Sequence, residues 1–108
     1  MLKTLAKKYF NLFSKKSIGR IAEMLSENVA LNDWEVACLG KKEVLSVTQS
    51  IFDNVESIDI KIINIYREGN SVIAELNIVI NNSTMESVLD IITFDDNKKI
   101  ININAYKQ

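Results

Sequence analysis

Histidine and proline are absent from this chain, cysteine occurs once and glycine three times. Without histidine, a serine or cysteine nucleophile has no imidazole base, and the commonest ligand of a zinc site is missing. The lone Cys38 cannot close an internal disulfide, which fits a reducing compartment and a cytoplasmic location. Gly19, Gly40 and Gly69 stand too far apart to form a phosphate-cradling loop. No apolar run approaches the roughly 18–20 residues that a membrane helix needs. Lys3, Lys7 and Lys8 interrupt the N-terminal apolar residues, leaving no signal-peptide core. The formal charge is only -1, with signs interspersed, which argues against a nucleic-acid surface. Asp95-Asp96-Asn97 lacks the rest of a calcium-ligand series and reads as a turn. The residues therefore point to no metal and no cofactor.

What the chain does have is apolar periodicity. Its 108 residues are 47% hydrophobic, enough to read residues 1–108 as a single domain with a core that needs no staples. Leu2, Leu5, Tyr9, Leu12 and Phe13 recur at three- and four-residue spacing, predicting a helix over about residues 2 to 15. Ser17 offers an N-cap for a second, short helix that buries Ile18, Ile21, Ala22 and Leu25. Ser26-Glu27-Asn28 breaks it, and a strand follows at about 29–35. Cys38-Leu39-Gly40 reads as a turn, and Lys41–Asn54 as a third helix with Val44, Leu45, Val47, Thr48, Ile51 and Phe52 on its apolar side. Four β-rich runs then follow, at about 57–67, 71–81, 84–95 and 99–107, separated by short turn-forming segments. Connections this short predict an antiparallel meander. Several of these runs are apolar on both faces, as with Leu89, Ile91, Ile101 and Ile103. The helices can cover one face only, so the other is expected to meet a second copy of the chain in a homodimer.

Three polar side chains stand on apolar faces. With period two, Asp33 shares a strand face with Val29 and Leu31, and Asp90 shares one with Val88, Ile92 and Phe94. Tyr9 sits in the middle of the first helix's stripe. Each has an ordinary alternative: a marginal core tyrosine, an aspartate capping the next turn, a paired structural acid. An acid among aliphatic neighbours with no base close in sequence is equally the pattern of a site.

The order of elements, with Tyr9 in the first helix and a strand ending in Asn32-Asp33-Trp34-Glu35, resembles the nuclear transport factor 2-like superfamily, and within it the SnoaL-like and ketosteroid isomerase-like branch. The likeness extends through Gly40-Lys41-Lys42-Glu43-Val44 at the entry to the third helix. It continues in the strand Val88-Leu89-Asp90-Ile91-Ile92-Thr93-Phe94 with its turn and Lys99-Ile100. The resemblance implies an α+β cone, three N-terminal helices packed in a strongly curved antiparallel sheet, with a pocket between them. It also implies roles: Asp33 as general base, with Tyr9 and a protonated Asp90 as the oxyanion hole. The ligand pocket would take in Phe13, Leu31, Trp34, Glu35, Phe52, Val88 and Ile92, and a compound smaller than a steroid would fill it. Three readings follow: an isomerase, cyclase or dehydratase acting on a carbonyl substrate; a non-catalytic ligand-binding or dimerisation module; and a protein-interaction module, for which only Trp34 offers an obvious aromatic.

Overall fold

A computed structural model describes residues 1–108. Three helices, α1 (Leu2–Ser14), α2 (Ile18–Met24) and α3 (Lys41–Asn54), accompany six strands. The strands are β1 (Leu25–Asn32), β2 (Ala37–Leu39), β3 (Ile58–Glu68), β4 (Ser71–Ile80), β5 (Thr84–Phe94) and β6 (Ile100–Lys107). They form one sheet in the order β2-β1-β6-β5-β4-β3. The meander from β3 to β6 is antiparallel throughout, as the short turns require. No helix is long and apolar enough to cross a membrane.

Three expectations need correction. The sheet is mixed rather than wholly antiparallel, because β1 pairs with β6 in parallel. A hairpin turn dictates antiparallel pairing, but most of the chain separates β1 from β6, so nothing local sets their direction. Second, β1 starts and ends earlier than its pattern suggests. Leu25 belongs to the strand opposite Ile100, and the register slips between Leu25 and Ala30, so Ser26-Glu27-Asn28 is an irregularity within β1 and not a break before it. Third, Cys38-Leu39-Gly40 is not a turn, since Cys38 and Leu39 belong with Ala37 to a strand. It folds back on Ala30-Leu31-Asn32 as β2, and Gly40, whose N–H donates to the Val29 carbonyl at 2.7 Å, ends it. Gly40 has φ 100°, a conformation open to glycine, and it lets α3 begin at once.

The core gathers Ala6, Phe10 and Leu12 of α1, Ile21 and Met24 of α2, and Val44 and Phe52 of α3 against the sheet. The sheet residues that meet them are Val29, Val72, Ala74, Leu76, Ile92, Phe94 and Ile103. Glu75 and Asn77 fall on the opposite face: Glu75 pairs across the strands with Leu89, and Asn77 with Ser87. Glu75 there accepts hydrogen bonds from Asn64 and the Tyr66 hydroxyl. That outer face also carries Ile73 opposite Ile91.

Lys16 ties the connection between α1 and α2 to the end of α3. Its ammonium donates to the carbonyls of Phe52, Val55 and Glu56 at 3.0, 2.6 and 3.2 Å, satisfying acceptors that α3 leaves open where it ends. Ser14 acts beside it, its hydroxyl accepting the Ile60 N–H at 2.9 Å. Lys16→Met is expected to lower unfolding free energy by about 1–2 kcal/mol, measured by urea denaturation. Lys15→Met, at an exposed neighbour, should change it by no more than about 0.5 kcal/mol.

Candidate functional site

A cavity of about 310 Å³ lies between α1, α3 and the sheet, bounded by 19 residues of which 13 are hydrophobic. That is the small end of the roughly 300–1,000 Å³ typical of ligand pockets. Regular spacing builds its wall. Tyr9 and Phe13 are one turn apart on α1, and Val44, Thr48 and Ile51 follow each other on one stripe of α3. Alternate residues of the strands complete it: Ile58 and Ile60, Ile78 and Ile80, Glu86, Val88 and Asp90, and Ile103, Ala105 and Lys107.

Tyr9, Asp33 and Asp90 all border this one cavity, as do Phe13, Leu31, Trp34, Glu35 and Val88. Phe52 and Ile92 do not; both are buried in the core behind it. Ile51 takes the lining position on α3, which turns Phe52 away to pack edge-on against Phe13 at 4.9 Å. Ile92 lies one alternation beyond Asp90 and is fully buried. Sequence reading missed Lys107, Glu86, Thr48 and the paired isoleucines of β3 and β4. For Lys107 the signal was there: it continues the alternation of Ile103 and Ala105.

Asp33 lies past the end of β1, in the turn to β2. Its Oδ1 accepts the N–H groups of Glu35 and Val36, both at 2.7 Å, and its own N–H donates to the Val36 carbonyl at 2.8 Å. This Asx-type turn fixes the carboxylate's direction and leaves Oδ2 outside the turn. Asp90 is flanked across the sheet by Ala74 on β4 and Ala105 on β6, two small side chains that leave room around it. Burial, and after it the negative charge of Asp33, pushes the Asp90 carboxyl up to about 7. Tyr9 is 5% exposed and packs edge-on against Phe10 and Phe13 at 5.6 and 5.9 Å. Burial, then the Asp90 charge, raises its phenol well above the ordinary range, so it remains a hydrogen-bond donor. Cys38, behind the same turn, is also pushed up, by burial and then by Glu43 and Asp33, and a thiol so disposed is a poor nucleophile. No three His, Cys, Asp or Glu side chains are grouped to hold a metal ion. The arrangement can do one kind of chemistry well: an oriented carboxylate to take a proton, in one cavity with a neutral phenol and a carboxyl raised to about 7, both able to donate to a developing negative charge.

The model of the SnoaL-like domain matches residues 6–103. The protein belongs to the SnoaL-like family. Within this SnoaL-like chain the matched span includes Tyr9, Asp33 and Asp90, while Ala105 and Lys107 lie beyond it. No curated protein matches the chain by sequence. Solved structures share the fold at low identity. A provisionally named ketosteroid isomerase from Kribbella flavida is 15% identical, with 99% of this chain and 77% of that one aligned at a TM-score of 0.86. A provisionally named SnoaL-like polyketide cyclase from Shewanella denitrificans is 12% identical, covering 99% and 90%, at 0.87. An epoxide hydrolase from Mycobacterium tuberculosis is 14% identical, covering 95% and 79%, at 0.83. One fold thus carries several named activities, and only the side chains in the cavity can distinguish among them.

Proposed function

We propose that the cavity binds a small carbonyl compound and that the protein catalyses cofactor-independent isomerisation, cyclisation or dehydration. Asp33 removes the proton next to the carbonyl, while Tyr9 and protonated Asp90 donate to the oxygen as it becomes an enolate. One observation carries this reading: an acid whose carboxyl is pushed up to about 7 borders the same cavity as an oriented carboxylate and a buried phenol. A carboxyl raised by burial in the same cavity as a second carboxylate is the pattern of an acid and a base assigned to different tasks. The unpaired Cys38 suits a cytoplasmic setting for this activity. Exchange of the α-protons of β-tetralone in deuterium oxide, followed by NMR, tests it. Catalysed exchange supports the proposal, and exchange at the buffer rate contradicts it.

The second reading is a ligand-binding module without catalysis. The Asx-type turn favours it, because backbone N–H groups already occupy Asp33 Oδ1 and give the residue a structural task. Binding of the ketone without exchange would select this reading.

We further propose that the outer sheet face forms a homodimer, on the strength of Ile73, Leu89 and Ile91 there and of the exposed Tyr66, Met85 and Tyr106. Light scattering at micromolar concentration is expected to give about twice the chain mass; a monomer mass would contradict it.

A further inference from the structure

The rim of the cavity already holds a cation. The Lys107 ammonium lies 5.7 Å from the centroid of the Trp34 ring and 3.1 Å from Glu86 Oε1, and all three residues border the cavity. Lys107 is its one basic lining residue, against the acids Asp33, Glu35, Glu86 and Asp90. Glu86 neutralises it and the indole face shields it, so it is poorly placed to receive an anion. Its attachments are also weak: the ion pair is partly solvated, with the lysine side chain 45% exposed, and pairs of that kind form and break readily. An aromatic face beside a carboxylate, at the mouth of an apolar chamber, is the chemistry that recognises a protonated amine.

We infer that Trp34 and Glu86 form a cation subsite, and that the ligand is a compact apolar molecule bearing a protonated amine that takes the place of the Lys107 ammonium. The inference rests on the reading of the cavity as a small-molecule pocket and adds the ligand's charge to it. Glu35 and Asp33 strengthen the selection, because a carboxylate ligand entering here would pass several like charges before meeting any free positive one. With its ammonium at the rim, the apolar body of such a ligand extends inward toward Tyr9 and Asp90.

A matched series on one ring system tests this: β-tetralone, β-aminotetralin, which is cationic at neutral pH, and the corresponding tetralin carboxylate. Each is titrated by NMR into the wild-type chain and into Lys107→Met, Glu86→Gln and Trp34→Leu. The amine is expected to bind at least about tenfold more tightly than the carboxylate. It should bind more tightly still to Lys107→Met, in which the subsite is vacated, and more weakly to Glu86→Gln and Trp34→Leu. In each protein the amine affinity is read relative to that of the neutral ketone, so that any general change in the cavity lining cancels, and unchanged thermal unfolding reports that the variants stay folded. If the carboxylate binds best and Lys107→Met abolishes that binding, Lys107 reads anions and the cation subsite is wrong. If ketone and amine bind equally in every variant, the subsite is wrong while the pocket stands. If none of the three binds, the pocket reading falls with it.

Discussion

Asp33→Asn is expected to reduce catalysed α-proton exchange by about 10²–10⁴-fold while leaving the fold intact. An amide cannot accept the proton, so the chemical step loses its base. The turn itself should survive, because the asparagine side-chain oxygen can still accept the Glu35 and Val36 N–H groups that Asp33 Oδ1 accepts now. Separation of the two effects is what makes the variant informative. Thermal unfolding and exchange are to be measured on the same preparation. Lost exchange at unchanged stability assigns Asp33 to the chemistry. Unfolding of the variant assigns it to the turn alone, and unchanged exchange removes it as the base.

Asp90→Asn should have the largest effect on the pH dependence of stability. Burial and the Asp33 charge raise the folded-state value from an ordinary 3.8 to about 7. With the folded value above the unfolded one, the folded state holds the proton more tightly. The group's contribution is therefore complete below about pH 4 and is lost as pH climbs through the folded value near 7. A shift of this size corresponds to roughly 4 kcal/mol at most. Because the carboxyl borders a cavity that water can enter, roughly 1–3 kcal/mol is the expected loss. Asparagine does not titrate and can still donate a hydrogen bond. Across a urea series from about pH 4 to 8, wild type should lose stability relative to Asp90→Asn by that amount, with the variant equal or superior at the upper end. Wild type gaining on the variant over the same interval would mean an ionised, paired Asp90.

The parts of this fold that were legible in the sequence are those governed by local rules. The helices declared themselves by period, and the meander by its turns at Gly69, Asn81-Asn82 and Lys98, where positive φ angles recur. Asp95 shows the same logic: its Oδ1 accepts the N–H groups of Asn97 and Lys99, the turn its neighbours suggested. What stayed hidden was non-local. Nothing in Ala37-Cys38-Leu39 marks a strand, because three residues carry no period, and β2 exists only because β1 offers it an edge. The parallel β1–β6 pairing is likewise a product of the whole chain. At the site, alternation placed Asp90 on the buried face of β5, and the helical stripe placed Tyr9 on that of α1. Asp33 reached the cavity by a different route from the one expected, through a turn beyond the end of its strand. The cation at the rim was legible only in part: alternation sets Lys107 on one face with Ile103 and Ala105, but Trp34, Glu86 and Lys107 are distant in sequence and meet only in the folded chain.

Direct titration of the Asp90 carboxyl carbon by NMR, on carbon-labelled protein with Asp90→Asn to assign the resonance, tests most directly whether this cavity holds a neutral acid beside its base. The expected midpoint is about 7, accompanied by a response at the Tyr9 ring, whose phenol feels the Asp90 charge. A midpoint at or below about 4, the ordinary range for an exposed aspartate, would make Asp90 an ionised group at neutral pH and would contradict its role as a donor to an enolate.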